Sequence, residues 1–154
     1  MKFSNIYILV PAFNESEVIR EILCNLLNYF SNVIVVNDGS TDNIKEVVKD
    51  LDIILINHEI NLGVGAAVQT GFDFVKKIPL SHAVITFDAD GQHSVQDAIS
   101  IAEAISHIDE EIIFGSRFLE YDNNIPFIKR IVLRIITKIT RIVTGVKLTD
   151  AHNG

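Results

Sequence analysis

The amino-acid sequence predicts an α/β protein built on an open, mostly parallel, twisted sheet with helices on both faces. Three observations carry this. Short apolar runs rich in Val, Ile and Leu recur at 6–10, 33–36, 53–56, 83–87 and 112–114, and near-continuous runs of this kind mark strands covered on both faces. Helical patterns at 17–30, 44–50, 66–76 and 95–106 separate them. Such alternation favours parallel strands joined by right-handed crossovers, with consecutive strands side by side or nearly so. Finally, each apolar run is followed by a polar cluster, at the strand ends where open α/β sheets bind ligands.

Taken in order, the first run has only five apolar residues before Pro11, too short for a signal-peptide core and suited to a strand. It is followed by Pro11-Ala-Phe-Asn-Glu15. Glu15 fits either a ligand-facing carboxylate or a first-turn residue favoured by the helix dipole. The helical pattern beyond it contains Cys24, the sole cysteine, which cannot close an intramolecular disulfide. It reads as a small buried hydrophobe, compatible with a reducing compartment such as the cytoplasm.

The second run leads into Asn37-Asp-Gly-Ser-Thr-Asp42. Those residue types suit a turn and helix N-cap. Taken alone, that is the plainer reading; the functional one is a site in which Asp38 accepts hydrogen bonds from a nucleotide while Gly39 permits close backbone approach. After the third run comes Asn61-Leu-Gly-Val-Gly65, a glycine loop whose spacing fits neither a P-loop nor a dinucleotide fingerprint. His58, His82 and His107 have no metal-ligand spacing and read as solvated or satisfied side chains.

The fourth run ends in Asp88-Ala-Asp-Gly-Gln-His93, the sharpest of the clusters. Side chains two apart on an extended segment point the same way, so Asp88 and Asp90 can converge. Their mutual repulsion then needs compensation. A divalent cation, Mg²⁺ or Mn²⁺, bound between carboxylates and a diphosphate would supply it, with Gln92 adding an amide oxygen or orienting a water. A lone Asp-x-Asp is usually an exposed acidic turn, but the buried strand before it and the neighbouring clusters favour the metal. Gly115-Ser-Arg117 follows the fifth run, and Arg117 suits either a phosphate or an open surface.

Beyond the polar loop at 119–126, a helical pattern runs from Phe127 to Thr144. Apolar residues at 128, 131, 132, 135, 136, 139, 142 and 143 form one stripe, and Arg130, Arg134, Lys138 and Arg141 another. The apolar stripe is expected to pack on the sheet. The basic stripe suits an anionic lipid surface, giving the 127–147 segment peripheral contact with a membrane. Six of the 13 basic residues lie between Asn123 and Thr149, a stretch with no acidic residue. The polar ending Asp150-Ala-His-Asn-Gly154, with no closing element after it, reads as a polypeptide cut short.

The bulk numbers bound these readings. A chain of 154 residues, 48% hydrophobic and 21% charged, has the make-up of one folded domain rather than a disordered one. Its net charge of −7 speaks against nucleic acid as a partner. No stretch has the length and uninterrupted apolarity of a membrane span. No Ser/His/Asp nucleophile pattern, zinc spacing or Walker sequence is present.

In combination and in this order, Pro11-x-x-Asn-Glu15, Asn-Asp-Gly-Ser-Thr-Asp42, Asn-x-Gly-x-Gly65 and Asp-Ala-Asp-Gly-Gln92 resemble the family 2 glycosyltransferases, whose catalytic domain has the GT-A fold. The resemblance covers Ile6 to Gly154 and is strongest to the dolichyl-phosphate mannose synthase-like, polyprenyl-phosphate sugar transferase branch. It implies one catalytic domain over 1–154, with 1–118 the nucleotide-sugar-binding core and 119–154 the basic helix and the start of the acceptor side. Pro11, Phe13, Glu15, Val36 and Asp38 would surround the nucleoside of a nucleoside-diphosphate sugar, with Gly63, Gly65, Asp88 and Ala89 also against the donor. Asp88, Asp90 and Gln92 would hold the metal, and Arg117 a phosphate.

The resemblance also implies transfer with inversion to a polyprenyl phosphate or a lipid-linked or surface glycan, at the cytoplasmic face of a membrane. Asp150 is the candidate base if the acceptor is a hydroxyl. Asn37 departs from the family pattern, where many relatives carry a second Asp, and Thr149 to Gly154 departs from the mannose synthase branch. Two other readings are a fragment that binds a nucleotide sugar without turnover, and a nucleotidyltransferase, which would lack its glycine- and lysine-bearing N-terminal signature.

Overall fold

The computed structural model describes residues 2–79, 81–89, 94–105, 135–140 and 142. Eight elements follow in chain order: β1 (Phe3–Ala12), α1 (Ile19–Leu27), β2 (Phe30–Asn37), α2 (Ile44–Val48), β3 (Ile54–Asn57), α3 (Val64–Val75), β4 (Ala83–Thr86) and α4 (Val95–Ile105). The four strands form one sheet in the order β3-β2-β1-β4, every neighbouring pair parallel. The expected fifth strand at 112–114 lies outside the described residues.

Alternation along the strands sorts the core into two layers. Ile6, Ile8, Val10 and Ala12 of β1 join Val33 and Val35 of β2 on one face, under Ile19, Leu23 and Leu26 of α1, Ile44 and Val48 of α2, and Ala98 and Ala102 of α4. Tyr7 and Leu9, with Ile34 and Val36, face the other way against Ala67 and Val75 of α3. Period-two strands thus feed helices on both faces, as the apolar runs predicted.

Crossover handedness explains which helix goes where. The connections β1-α1-β2 and β2-α2-β3 step in one direction across the sheet, placing α1 and α2 on one face. The connection β3-α3-β4 steps back past two strands, and a right-handed path in that direction puts α3 on the opposite face. Strand order therefore breaks between β1 and β4, and the carboxyl ends of these strands border the crevice where such sheets bind ligands.

Several boundaries differ from the sequence expectation. Phe30, read as the end of a helix, instead opens β2: it is buried and stacked on Phe3 with ring centroids 5.3 Å apart. That contact, with the Phe3 N–H donating to the Tyr29 carbonyl, lengthens β1 beyond the expected 6–10. Helix α3 starts two residues earlier than expected because Gly63, at φ +90°, caps it. Cys24 is exposed on the outer side of α1, not buried, since Leu23 and Leu26 occupy the inward positions.

Contacts divide the chain into Met1–Asp109 and Glu110–Gly154. Within the second unit, residues 135–140 and 142 are helical. Ile135, Ile136, Ile139 and Ile142 are exposed, Ile142 to 75%, while Thr137 is buried.

Candidate functional site

The loops after β1 and β2 are stitched to each other by their polar side chains. Asn14, at φ +58°, accepts through Oδ1 from the Thr41 N–H at 2.9 Å. Its own N–H donates to the Ser40 hydroxyl at 3.0 Å. The Ser16 N–H donates to Asp42 Oδ2 at 2.8 Å. Burial pushes the Asp42 carboxyl up, but hydrogen bonds from Ser16 and from the Ile44 N–H outweigh it and hold the group below its ordinary value. Much of both motifs therefore fixes the rim of the crevice. Between these ties, Pro11 is buried in β1, Phe13 is exposed and Glu15 is half-buried. The Glu15 carbonyl accepts from the Val18 and Ile19 N–H groups and starts α1.

Asp38 sits deeper. It is 2% exposed, and its carboxylate gathers the loop after β3. The Leu62 N–H donates to Oδ1 at 3.0 Å and the Gly63 N–H to Oδ2 at 2.7 Å. His58 Nδ1 reaches Oδ1 at 2.7 Å, and its Nε2 pairs with the Thr70 hydroxyl at 2.9 Å. Burial raises the Asp38 carboxyl, yet these bonds, His58 foremost among them, bring it below the usual carboxylate value.

Gly39, at φ +69°, is needed for a close approach, but the approaching backbone is the protein's own. A Cβ there would collide with the Ile60 carbonyl carbon and the Asn61 nitrogen. Asn37, where a second Asp was expected from the family pattern, donates through Nδ2 to Asn57 Oδ1 at 2.9 Å and accepts from the Ser40 N–H at 3.1 Å. An ionised carboxylate has no hydrogen to make the first of these bonds.

The remaining predicted residues divide as follows. The Val36 side chain is wholly buried against α3. Gly63 and Gly65 lie at the start of α3, where a Cβ would meet open space, although Gly63 needs its positive φ. Beyond β4 the Phe87 N–H still donates to the Leu9 carbonyl at 2.9 Å. Burial alternates from buried Phe87 to half-buried Asp88 to buried Ala89. Asp88 lies two residues past the end of β4, and Ala89 is in a turn. Asp90, Gln92, Arg117 and Asp150 lie outside the described residues. Among the described residues no three His, Cys, Asp or Glu side chains cluster as a metal site.

The structure brings Phe13, Glu15, the Asp38 loop and Asp88 to the carboxyl edge of the sheet. A hard cation would find a suitable oxygen donor in Asp88. His58 is the residue that sequence reasoning passed over. It follows β3 directly, and the register Asn37↔Asn57 sets it beside Asp38.

Comparison with known proteins agrees with this geometry. A family model described as Glycosyl transferase family 2 matches residues 7–154. A UDP-N-acetylglucosamine–dolichyl-phosphate N-acetylglucosaminyltransferase of Methanococcus voltae is 33% identical, over 97% of this chain and 67% of its own length. An uncharacterised protein of Methanocaldococcus jannaschii is 35% identical, over 97% of this chain and 62% of its own. An undecaprenyl-phosphate 4-deoxy-4-formamido-L-arabinose transferase of Pseudomonas fluorescens is 27% identical, over 93% of this chain and 43% of its own. The chain thus spans about two thirds or less of the length of these relatives.

Proposed function

This chain belongs to glycosyl transferase family 2, and from that premise we propose that it moves a sugar, with inversion, from a nucleoside-diphosphate sugar to a polyprenyl phosphate or a lipid-linked glycan. The observation that carries the reading is that the motifs after β1, β2 and β3, and Asp88 after β4, all lie at the carboxyl edge of one parallel sheet. The names of the Methanococcus and Pseudomonas relatives, both transferases to polyprenyl phosphates, support the acceptor class. Family membership sets aside the nucleotidyltransferase reading.

In this proposal Pro11, Phe13 and Glu15 flank the nucleoside. Val36 and Asp38 form the floor, Val36 by packing and Asp38 by holding the loop that carries Gly63 and Gly65. Asp88, Asp90 and Gln92 would hold Mg²⁺ or Mn²⁺, with Ala89 fixing the turn of chain between the two aspartates. That cation would neutralise charge developing on the departing diphosphate. Arg117 presents a planar fork to a phosphate oxygen. The acceptor attacks the anomeric carbon from the face opposite the leaving group. A polyprenyl phosphate arrives already anionic, whereas a hydroxyl acceptor needs a base, the role assigned to Asp150.

The helical residues 135–140 and 142 support placement at a membrane surface. On a helical wheel Ile135, Ile139 and Ile142 share one face, and Lys138 borders it together with the sequence positions Arg134 and Arg141. Exposed apolar residues beside cations suit the interface of an anionic bilayer. Among the described residues no helix is long and apolar enough to cross a membrane. We assign a peripheral position on the cytoplasmic face.

Calorimetric titration with UDP and with GDP, with and without Mn²⁺, tests the donor site. One nucleotide should bind at least about tenfold more tightly with the metal; equal affinity in both conditions contradicts the assignment. Turnover with a polyprenyl phosphate separates a transferase from a protein that only binds the donor. Co-sedimentation with phosphatidylglycerol vesicles should weaken in Arg134→Glu/Arg141→Glu, and unchanged sedimentation removes the membrane contact.

A further inference from the structure

The loop between β3 and α3, residues 58–63, is held in an unusual way. Its large apolar side chains are outside: Ile60 is 66% and Leu62 56% exposed. Hydrophobic burial therefore does little to fix it. Polar ties do the work instead. The His58 N–H donates to the Asn37 carbonyl at 2.9 Å, and the Leu62 and Gly63 N–H groups both donate to Asp38. The loop backbone also lies so close to Gly39 that no side chain fits between them.

Everything then depends on where the Asp38 carboxylate is held. A buried carboxylate is stable only with several donors around it. Asp38 has two neutral backbone donors and the His58 ring, whose side chain is 11% exposed. An ionised carboxylate can only accept, so in the neutral ring Nδ1 carries the proton and Nε2 accepts from the Thr70 hydroxyl. Thr70 lies in α3, Asp38 after β2 and His58 after β3. One imidazole thus links three elements.

We propose that His58 is a positioning residue. It pins the Asp38 carboxylate between β2 and α3, and through it holds the backbone of residues 60–63 in the shape that borders the donor crevice. The clamp stands on the geometry above; its consequence for ligand rests on the donor-site reading already proposed. A hydrogen bond to a charged group is among the stronger ones, so its loss should be visible in both the loop and the site.

The test compares full-length wild type, His58→Ala and His58→Asn. Asparagine places an N–H where Nδ1–H stood and gives up the bond to Thr70. Amide hydrogen exchange is followed at Leu62 and Gly63, with Leu9 and Ile34 of the core reporting any global loss of stability. Affinity for UDP and GDP with Mn²⁺ is measured at a temperature where all three proteins are folded. In His58→Ala, exchange at Leu62 and Gly63 should quicken about tenfold or more relative to the core amides, and nucleotide affinity should fall about tenfold. His58→Asn should recover most of both. Unchanged exchange at Leu62 and Gly63 in His58→Ala overturns the proposal. So does quickened exchange with undiminished nucleotide affinity, because the clamp would then not shape the site. A wild type that binds neither nucleotide, with the loop amides still responding, supports the clamp and sinks the donor reading instead.

Discussion

Asp38 and Asp88 look alike in the sequence, each a carboxylate just past an apolar strand and close to a glycine. The structure gives them different surroundings. Asp38 is buried, with two loop N–H groups and His58 on its carboxylate. Asp88 is half-buried at the carboxyl edge, between buried Phe87 and Ala89. Acidic residue type and strand-end position therefore do not reveal that Asp38 is buried and holds a loop.

The difference can be sharpened by substitution. Asp88→Ala should cost transfer about 1000-fold, equivalent to ~4 kcal/mol of transition-state stabilisation, while leaving the melting temperature almost unchanged. Asp38→Ala should do the reverse in stability, losing about 2–4 kcal/mol in urea unfolding because two loop N–H groups and an imidazole lose their acceptor. An Asp88 variant that unfolds readily, or an Asp38 variant as stable as wild type, would erase the contrast.

Gly39→Ala tests the same loop from its other side. The new methyl must enter a positive-φ position already closed by Ile60 and Asn61, at a cost of about 2–3 kcal/mol in urea unfolding. Acid should act more mildly. Asp38 and Asp42 both have folded-state values below their ordinary 3.8. Their stabilisation is fully present above that ordinary value and is lost as pH falls through the lower folded ones. Unfolding free energy should therefore decline below about pH 4, and Asp42→Asn should flatten the decline. The smallest effect belongs to Arg20 and Asp50, joined at 2.7 Å on the surface. The Arg20 hydrogen bond holds the Asp50 carboxyl at about 2, but both groups are exposed, and Arg20→Met should move the melting temperature by no more than about 2 °C.

The sheet was legible because buried parallel strands write themselves as Val/Ile runs, and the register then turned Ile6, Ile8 and Val10 to one face and Tyr7 and Leu9 to the other. The edge where the motifs gather followed from strand–helix alternation alone. Phe30 was misplaced because its partner, Phe3, is distant in sequence. The partnership of His58 with Asp38 was hidden for the same reason, since strand register is a long-range fact that spacing does not contain. Ser40 and Thr41 suited a turn or a helix N-cap, and with Asn14 they tie two loops together. Helical periodicity groups Ile135, Ile139 and Ile142 on one face, which identifies a shared face but not what covers it.

The central claim is that the donor's diphosphate and its cation lie at the carboxyl edge between β1 and β4. Mn²⁺ broadens nearby amide signals, so titrating it into the full-length protein with UDP or GDP bound locates the ion directly. Broadening should be strongest at Asp88 and Ala89 and reach Phe13 to Glu15, while the amides of α2 stay sharp. Broadening centred away from this edge, or spread evenly over the chain, would contradict the account.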